Sequence, residues 1–200
     1  MNIDGQINPN LPPMPDGKLN QNPKGINFWS LIKEDFNTHE CRPVQGFWVL
    51  ALHRFGNWRM GINKQYLRLP FSILYKFLFP FTEIFCGINL PYSVKVGRRV
   101  KLEHFGGMLL SPREIGNDVT IRQNTTIGLA KKSQLNAKPI IEDRVDIGCG
   151  VAILGQVIIG HDSVIGANAA VVSDIPPFSL AVGVPAKVIK VLNSGYCDEQ

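Results

Sequence analysis

From Ile141 onward the chain repeats itself every six residues. IEDRVD, IGCGVA, ILGQVI, IGHDSV, IGANAA and VVSDI follow one another without a break, placing an aliphatic residue at Ile141, Ile147, Ile153, Ile159, Ile165 and Val171. A period of six fits neither the 3.6-residue repeat of an amphipathic helix nor the alternation of a half-buried strand. It is the signature of hexapeptide coils in a parallel β-helix, where each repeat forms one flat side and about 18 residues complete a triangular turn. The aliphatic residue points inward and stacks on its equivalent in the next coil. Four residues later Val145, Val151, Val157, Ser163, Ala169 and Ile175 supply a second inward position, while Gly148, Gly160 and Gly166 stand where the chain turns tightly.

The same spacing begins loosely at Ile84 and continues through Leu90, Val96, Leu102 and Met108; after one extra residue Ile115, Ile121 and Ile127 resume it. The expected β-helix domain therefore covers 84–190. It is interrupted by LAKKSQLNAKP, residues 129–139, which is polar, basic and too long for a coil turn. Such an insertion leaves the solenoid as a loop, and loops of this kind carry function.

Upstream, the pattern turns helical over 27–83. FWSLIKEDF and then Phe47, Leu50, Ala51, Phe55 and Trp58 recur at helical spacing, which predicts two or three short helices. The apolar stretch YLRLPFSILYKFLFPFTEIF contains Arg68, Lys76 and Glu83, and Pro70 and Pro80 are expected to break a helix there. No uncharged run reaches the roughly 18 residues of a membrane span, so no transmembrane segment is expected. Packing against neighbouring elements or a subunit is the main expectation for this stretch, and a peripheral membrane contact is the lesser one. Residues 1–26, rich in Asn, Pro and Gly, read as a disordered tail, and 191–200 as a C-terminal tail.

Composition narrows the setting. The first residues lack the basic start and apolar run of a secretory signal, and four cysteines without CxxC spacing indicate neither a disulfide framework nor a zinc site. A cytoplasmic protein, at most peripheral to a membrane, without metal and without nucleic acid, is the expectation. The formal charge of +5 suits an anionic partner such as a nucleotide cofactor, an acidic glycan or a membrane surface. Of the four histidines, His39 and His53 fall in the helical region and read as structural, and His161 sits at a coil corner facing solvent. His104 differs: in LEHFGG it follows Glu103 and an inward Leu102 and precedes two glycines that let another chain or a ligand come close, which makes it the candidate general base.

The segment KVGRRVKLEHFGGMLLSPREIGNDVTIRQNTTIG, the hexapeptides and the ending AVGVPAKVIK resemble the serine O-acetyltransferase family of hexapeptide acyltransferases, and are similar also to its polysaccharide O-acetyltransferase branch. The resemblance runs from about residue 29 to 190. It implies a mainly β protein, a left-handed parallel β-helix preceded by a small α-helical region, assembled as a homotrimer with acetyl-CoA between neighbouring β-helices. It implies that His104 takes the proton of an acceptor hydroxyl with Glu103 beside it. It further implies that the cofactor passes Leu129, Cys149 and Ala167 at coil corners, and that Lys187, in GVPAK, and Lys132 meet its phosphates.

Departures from the family pattern lie on the acceptor side. Lys138 precedes Pro139 where serine enzymes carry a second histidine, and Asn89 and Glu103 stand where they carry aspartates; Asp35 in EDF matches a third. A weaker carboxylate set holds an ammonium group less well. The expected acceptor is therefore a hydroxyl of a sugar in a surface or capsular polysaccharide or its precursor, with Asn89, Asp35 and Lys138 binding it. L-Serine, in cysteine biosynthesis, is the first alternative, and a non-catalytic trimeric scaffold is the second.

Overall fold

The computed structural model describes residues 14–192 other than 16, 105, 132 and 135. The expected tails over 1–13 and 193–200 thus lie outside the described residues.

A parallel β-helix of three flat faces forms the larger part of the chain, as the hexapeptides predict. The first face holds β1 (Ile88–Asn89), β4 (Met108–Leu110), β7 (Thr126–Gly128), β10 (Ala152–Leu154) and β13 (Ala170–Val171). The second holds β2 (Lys95–Val96), β5 (Glu114–Ile115), β8 (Ile140–Ile141) and β11 (Ile158–Ile159). The third holds β3 (Lys101–Glu103), β6 (Thr120–Arg122), β9 (Asp146–Ile147), β12 (Val164–Ile165) and β14 (Ser179–Val182), and β15 (Lys187–Val191) closes it antiparallel to β14. Each strand is two to five residues long because a corner follows at once.

Period six is the period of burial. Ile141, Ile147, Ile153, Ile159, Ile165 and Val171 are all fully buried, as are or nearly are Val145, Val151, Val157, Ser163, Ala169 and Ile175. Each buried isoleucine contributes about 2 kcal/mol of transfer free energy, so the column of stacked side chains is the main source of stability. Ser163, the polar member, is satisfied: its hydroxyl donates to the Pro176 carbonyl at 2.9 Å and accepts from the Ser179 N–H at 3.3 Å.

The first coils depart from the expected spacing. Ile84 is not inward; it lies on a helix and is 74% exposed, and the solenoid begins at Ile88. Leu102 pairs with Ile121 and Leu110 with Ile127, so Leu110 and not Met108 takes the stacked position. Met108 is buried as well, which is why its six-residue distance from Leu102 suggested a simple repeat.

Three helices precede the solenoid: α1 (Phe28–Thr38), α2 (Gln45–Trp58) and α3 (Gln65–Cys86). Asn27 caps α1 by accepting the Ser30 N–H at 2.8 Å. Pro70 and Pro80 do not break α3, which runs unbroken through both. Both prolines lie on its exposed side, where the carbonyls they leave unpaired can meet water, and the hydroxyls of Ser72 and Thr82 donate to the carbonyls of Arg68 and Phe79 in the adjoining turns. The segment before α1 is also less loose than expected. The Gln21 N–H donates to Asn57 at 2.9 Å and the Asn22 amide to the Arg54 carbonyl at 3.0 Å, which ties this segment to α2.

Polar contacts fasten the helices to the first coil. Arg54, fully buried, donates to the carbonyls of Val96 and Gly97 at 2.8 and 2.7 Å and to both oxygens of Asp35 at 2.9 and 3.3 Å. His53 Nε2 donates to the Val94 carbonyl at 3.0 Å, and burial pushes its imidazole down to about 3. The Leu102 N–H donates to His39 Nε2 at 3.2 Å, which fixes the proton of that ring on Nδ1, where it meets the Asp35 carbonyl at 2.8 Å. Both residues read as structural histidines, and both are buried.

Candidate active site

His104 stands at the edge where the third face passes into the first. Glu103 pairs with Arg122 and Leu109 with Thr126, so this corner is two residues longer in the coil that bears His104 than in the next. The extra chain pushes the histidine outward. Its imidazole is exposed, and among the described residues no hydrogen bond or ion pair holds it. Its φ of 62° is not a special strain, because Asn124 and Asn168 turn the same edge at 60° and 58° in later coils. Gly107, at φ 66°, must be glycine for a second reason: a Cβ there would meet Asn124 Oδ1 at 2.6 Å. The corner is pinned by the Gly106 N–H to the Cys86 carbonyl at 3.2 Å, the Asn124 N–H to Gly106 at 3.0 Å and the Met108 N–H to Gly87 at 3.0 Å.

Glu103, on β3 just before it, lies between two cations: Lys101 Nζ is 2.9 Å away and Arg122 Nε 3.1 Å. Arg122 also pairs with Asp146 on β9, and Lys101 with Glu40 at 3.0 Å, giving a band of alternating charge across the third face. Partial burial raises the Glu103 carboxyl, but Lys101 and Arg122 outweigh it and hold the group below the usual carboxylate range. Beside His104 there is thus a carboxylate that stays ionised. Sequence reasoning missed Arg122 and Lys101; the signal was the outward position of Arg122, next to inward Ile121, one coil after Glu103.

The other expected residues divide between two edges. Cys149 and Ala167 share the His104 edge, for the Asn168 N–H donates to the Cys149 carbonyl at 2.8 Å and the Gly150 N–H to Gln123 at 2.9 Å, stacking the successive corners. Leu129 does not join them. It begins the loop 129–139 at the opposite border of the first face, where the Gly155 N–H donates to the Gly128 carbonyl at 2.9 Å. Lys138 ends the same loop, and partial burial holds its ammonium below the ordinary lysine range. Lys132 lies outside the described residues. Arg113 carries the base of the loop, its N–H donating to the Pro139 carbonyl and its guanidinium to Asn136, both at 2.7 Å.

Asn89 sits on β1 with its amide donating to Glu83, and its strand neighbour is Leu109. Asp35 is corrected: both its oxygens are occupied by Arg54 in a site without solvent access, so it fastens α1 to α2 and is not exposed to an acceptor. Lys187 is exposed on β15; just before it, the Ala186 N–H donates to Ala170 at 2.8 Å and the Ala170 N–H to Gly183 at 3.0 Å, laying 183–186 against the end of the first face.

A cavity of about 450 Å³ lies elsewhere, at the edge between the second and third faces, lined by Glu114, Glu142, Asp143, Arg144 and His161 among others. His161 there is half-buried, with Nδ1 2.6 Å from Asp162, which Arg144 holds in two further bonds. Among the described residues no group of three or more His, Cys, Asp or Glu side chains converges as a metal site would require.

No family model matches the chain. It is 41% identical over 110 residues to the serine acetyltransferase of Mycobacterium tuberculosis, covering 54% of this chain and 48% of that one. It is 30% identical over 168 residues to the serine acetyltransferase of Bacillus subtilis, covering 81% and 77%. Among solved structures, the soybean serine acetyltransferase complexed with serine superposes with a TM-score of 0.65 at 26% identity, over 81% of this chain and 69% of that one. The chain thus spans about half the length of the first relative and about three quarters of the second. The expectation of a polysaccharide enzyme with a sugar acceptor is overturned by these relatives, each of which is a serine acetyltransferase. The departures at Asn89, Glu103 and Lys138 predict a weaker carboxylate set, yet the Glu103 carboxylate beside His104 is held ionised by Lys101 and Arg122. The chain belongs to the serine acetyltransferase family of hexapeptide acyltransferases.

Proposed function

We propose that the chain transfers the acetyl group of acetyl-CoA to the hydroxyl of L-serine. His104 carries the reading, an exposed imidazole on an outward-built corner in a chain 30% identical over 168 residues to a serine acetyltransferase. His104 takes the proton of the serine hydroxyl as that oxygen attacks the thioester carbonyl. A tetrahedral oxyanion forms and is stabilised by a backbone N–H. Collapse breaks the C–S bond, and the imidazolium returns its proton to the departing CoA thiolate. O-Acetylserine and CoA result, and the histidine is neutral again.

Serine arrives as a zwitterion and needs a partner at each end. Glu103 accepts from the ammonium, since a carboxylate offers about four acceptor positions and Lys101 and Arg122 fill only some of them. Lys138 meets the carboxylate. Glu103 and Lys138 lie on opposite borders of the first face, so one chain cannot supply both ends of one site. A homotrimer supplies them: closed threefold packing sets the loop edge of one copy against the His104 edge of the next. Acetyl-CoA lies in that groove, with its thioester end passing Cys149 and Ala167 and its phosphates near Lys187.

The test is release of CoA thiol from acetyl-CoA with and without L-serine. Serine-dependent release that His104→Ala abolishes supports the reading. An enzyme that releases no thiol in response to serine overturns it, and the trimeric scaffold then takes its place.

A further inference from the structure

Helix α3 turns outward a face that nothing among the described residues covers. At 100° per residue, Tyr75, Thr82 and Cys86 fall on one side and are buried against α2 and the first coil. The opposite half-turn carries Leu69, Ile73, Phe77, Phe81, Ile84 and Phe85, all well exposed, and Arg68, Lys76 and Glu83 all lie outside it. The helix is long and apolar enough to cross a membrane, yet only 17% of its most apolar window is buried. Of the expected packing against neighbouring elements or a subunit, the described residues supply a partner for one side only. Counting about half of roughly 200 Å² for each of these side chains, the patch is about 600 Å², at the top of what soluble monomers leave open.

We infer that this face docks on the surface of an anionic lipid bilayer. The buried side is tied to α2 and β1, so the helix cannot leave the protein to span a membrane and lies in the interface plane instead. Its 22 residues give it a length of about 33 Å in that plane. Lys64 at the helix start and Lys76 beside the apolar half-turn are both exposed and can reach headgroups from its border. Charge favours lipid over a second copy on this face: Arg68 and Lys76 flank the apolar half-turn and Lys64 stands at the helix start, against Glu83 alone, so two such faces would set mainly like charges together. The helix ends at Cys86, whose carbonyl receives the Gly106 N–H of the His104 corner, so docking brings that corner to the bilayer surface.

The experiment is co-sedimentation of the full chain with vesicles of phosphatidylcholine alone or mixed with phosphatidylglycerol. Binding to the anionic vesicles, weakened by salt, is the expected result. The variant carrying Phe77→Ser, Phe81→Ser and Phe85→Ser should lose about tenfold or more in bound fraction, with its mass by light scattering and its thermal unfolding unchanged. Lys76→Glu, which disturbs no packing, should also weaken binding. A protein that stays in the supernatant with both vesicles, or binds both equally, overturns the inference. So does a triple-serine variant of lower mass, which would make the face an interface between copies.

Discussion

The Nε atom of Arg122 lies 3.1 Å from the carboxylate of Glu103, across one coil of the solenoid and one residue before His104. The contact is a competitor as well as a support. It keeps Glu103 ionised, and it occupies an acceptor that a substrate ammonium would use. Replacing Arg122 by Leu leaves Lys101 to hold Glu103 and frees one side of the carboxylate. The KM for L-serine should then fall by roughly threefold with kcat little changed, less than a full charge-assisted hydrogen bond because water already screens the site. Initial rates over a serine series decide it; a KM that stays or rises would show that Arg122 does not compete.

His104→Ala should lower kcat by about a hundredfold or more, the contribution of a positioned general base. The Kd of acetyl-CoA, read by calorimetry, should hardly move, because the imidazole acts on the acceptor. A variant that turns over at near the parent rate removes His104 from the mechanism.

Acid should loosen the joint between helices and solenoid before it protonates most carboxylates. His53 is neutral in the fold with its imidazole near 3, and burial holds His39 down as well. An unfolded histidine takes a proton near 6.5, so the unfolded state binds more protons below that pH and stability is lost as pH falls from 6.5 toward 3. For His53 the loss is about 1.4 kcal/mol per pH unit, or about 2 kcal/mol by pH 5. Thermal unfolding at pH 7 and pH 5 reads it. Equal Tm values at the two would contradict a buried neutral His53.

Arg54→Met should be strongly destabilising, by about 3–5 kcal/mol, since it strands Asp35 as a buried charge without its partner. The pair Arg54→Met with Asp35→Leu should recover most of that loss. Urea midpoints compare the three proteins, and a double variant no better than the single one would mean that the guanidinium's bonds to Val96 and Gly97, not its charge pairing, hold the joint.

The legible part of this fold was the part whose period is enforced by stacking. From Ile115 on, an insertion or deletion inside a coil would turn an isoleucine out of the core, so spacing alone located the stacked aliphatic residues as far as Val171. At the first coil that constraint relaxes. The corner after Glu103 has two extra residues, and a helix, not a coil, covers the open end, which is why Ile84 and Met108 satisfied a period that the backbone does not follow. Pro70 and Pro80 misled for a different reason: local rules price a proline by its missing N–H, and in α3 that gap faces outward. Among the site residues, Asp35 illustrates what a motif cannot say, because only the fold reveals that Arg54 has already occupied it. The acceptor was misjudged from three changed residues considered singly, whereas Glu103 and Lys138 together still offer both signs of charge.

The division of site residues between two edges of the first face leads to a prediction about mixed assemblies. His104 and Glu103 stand on one border and Lys138 on the other, so each site in a homotrimer draws its base from one copy and its loop from the next. Lys138→Glu should lower kcat/KM for serine by about thirtyfold or more, as reversal of a substrate-pairing charge does. Neither it nor His104→Ala is then active alone. Co-expressed in equal amounts with different tags and purified through both, the two variants form mixed trimers in which some sites combine the intact His104 edge of one copy with the intact loop of its neighbour. Whichever variant supplies two of the three copies, a closed mixed trimer has one such site in three, so about a third of the parent activity should return. If instead each site were built within one chain, the mixture would show only the mean of its two weak parents, and that result would dismantle the shared site.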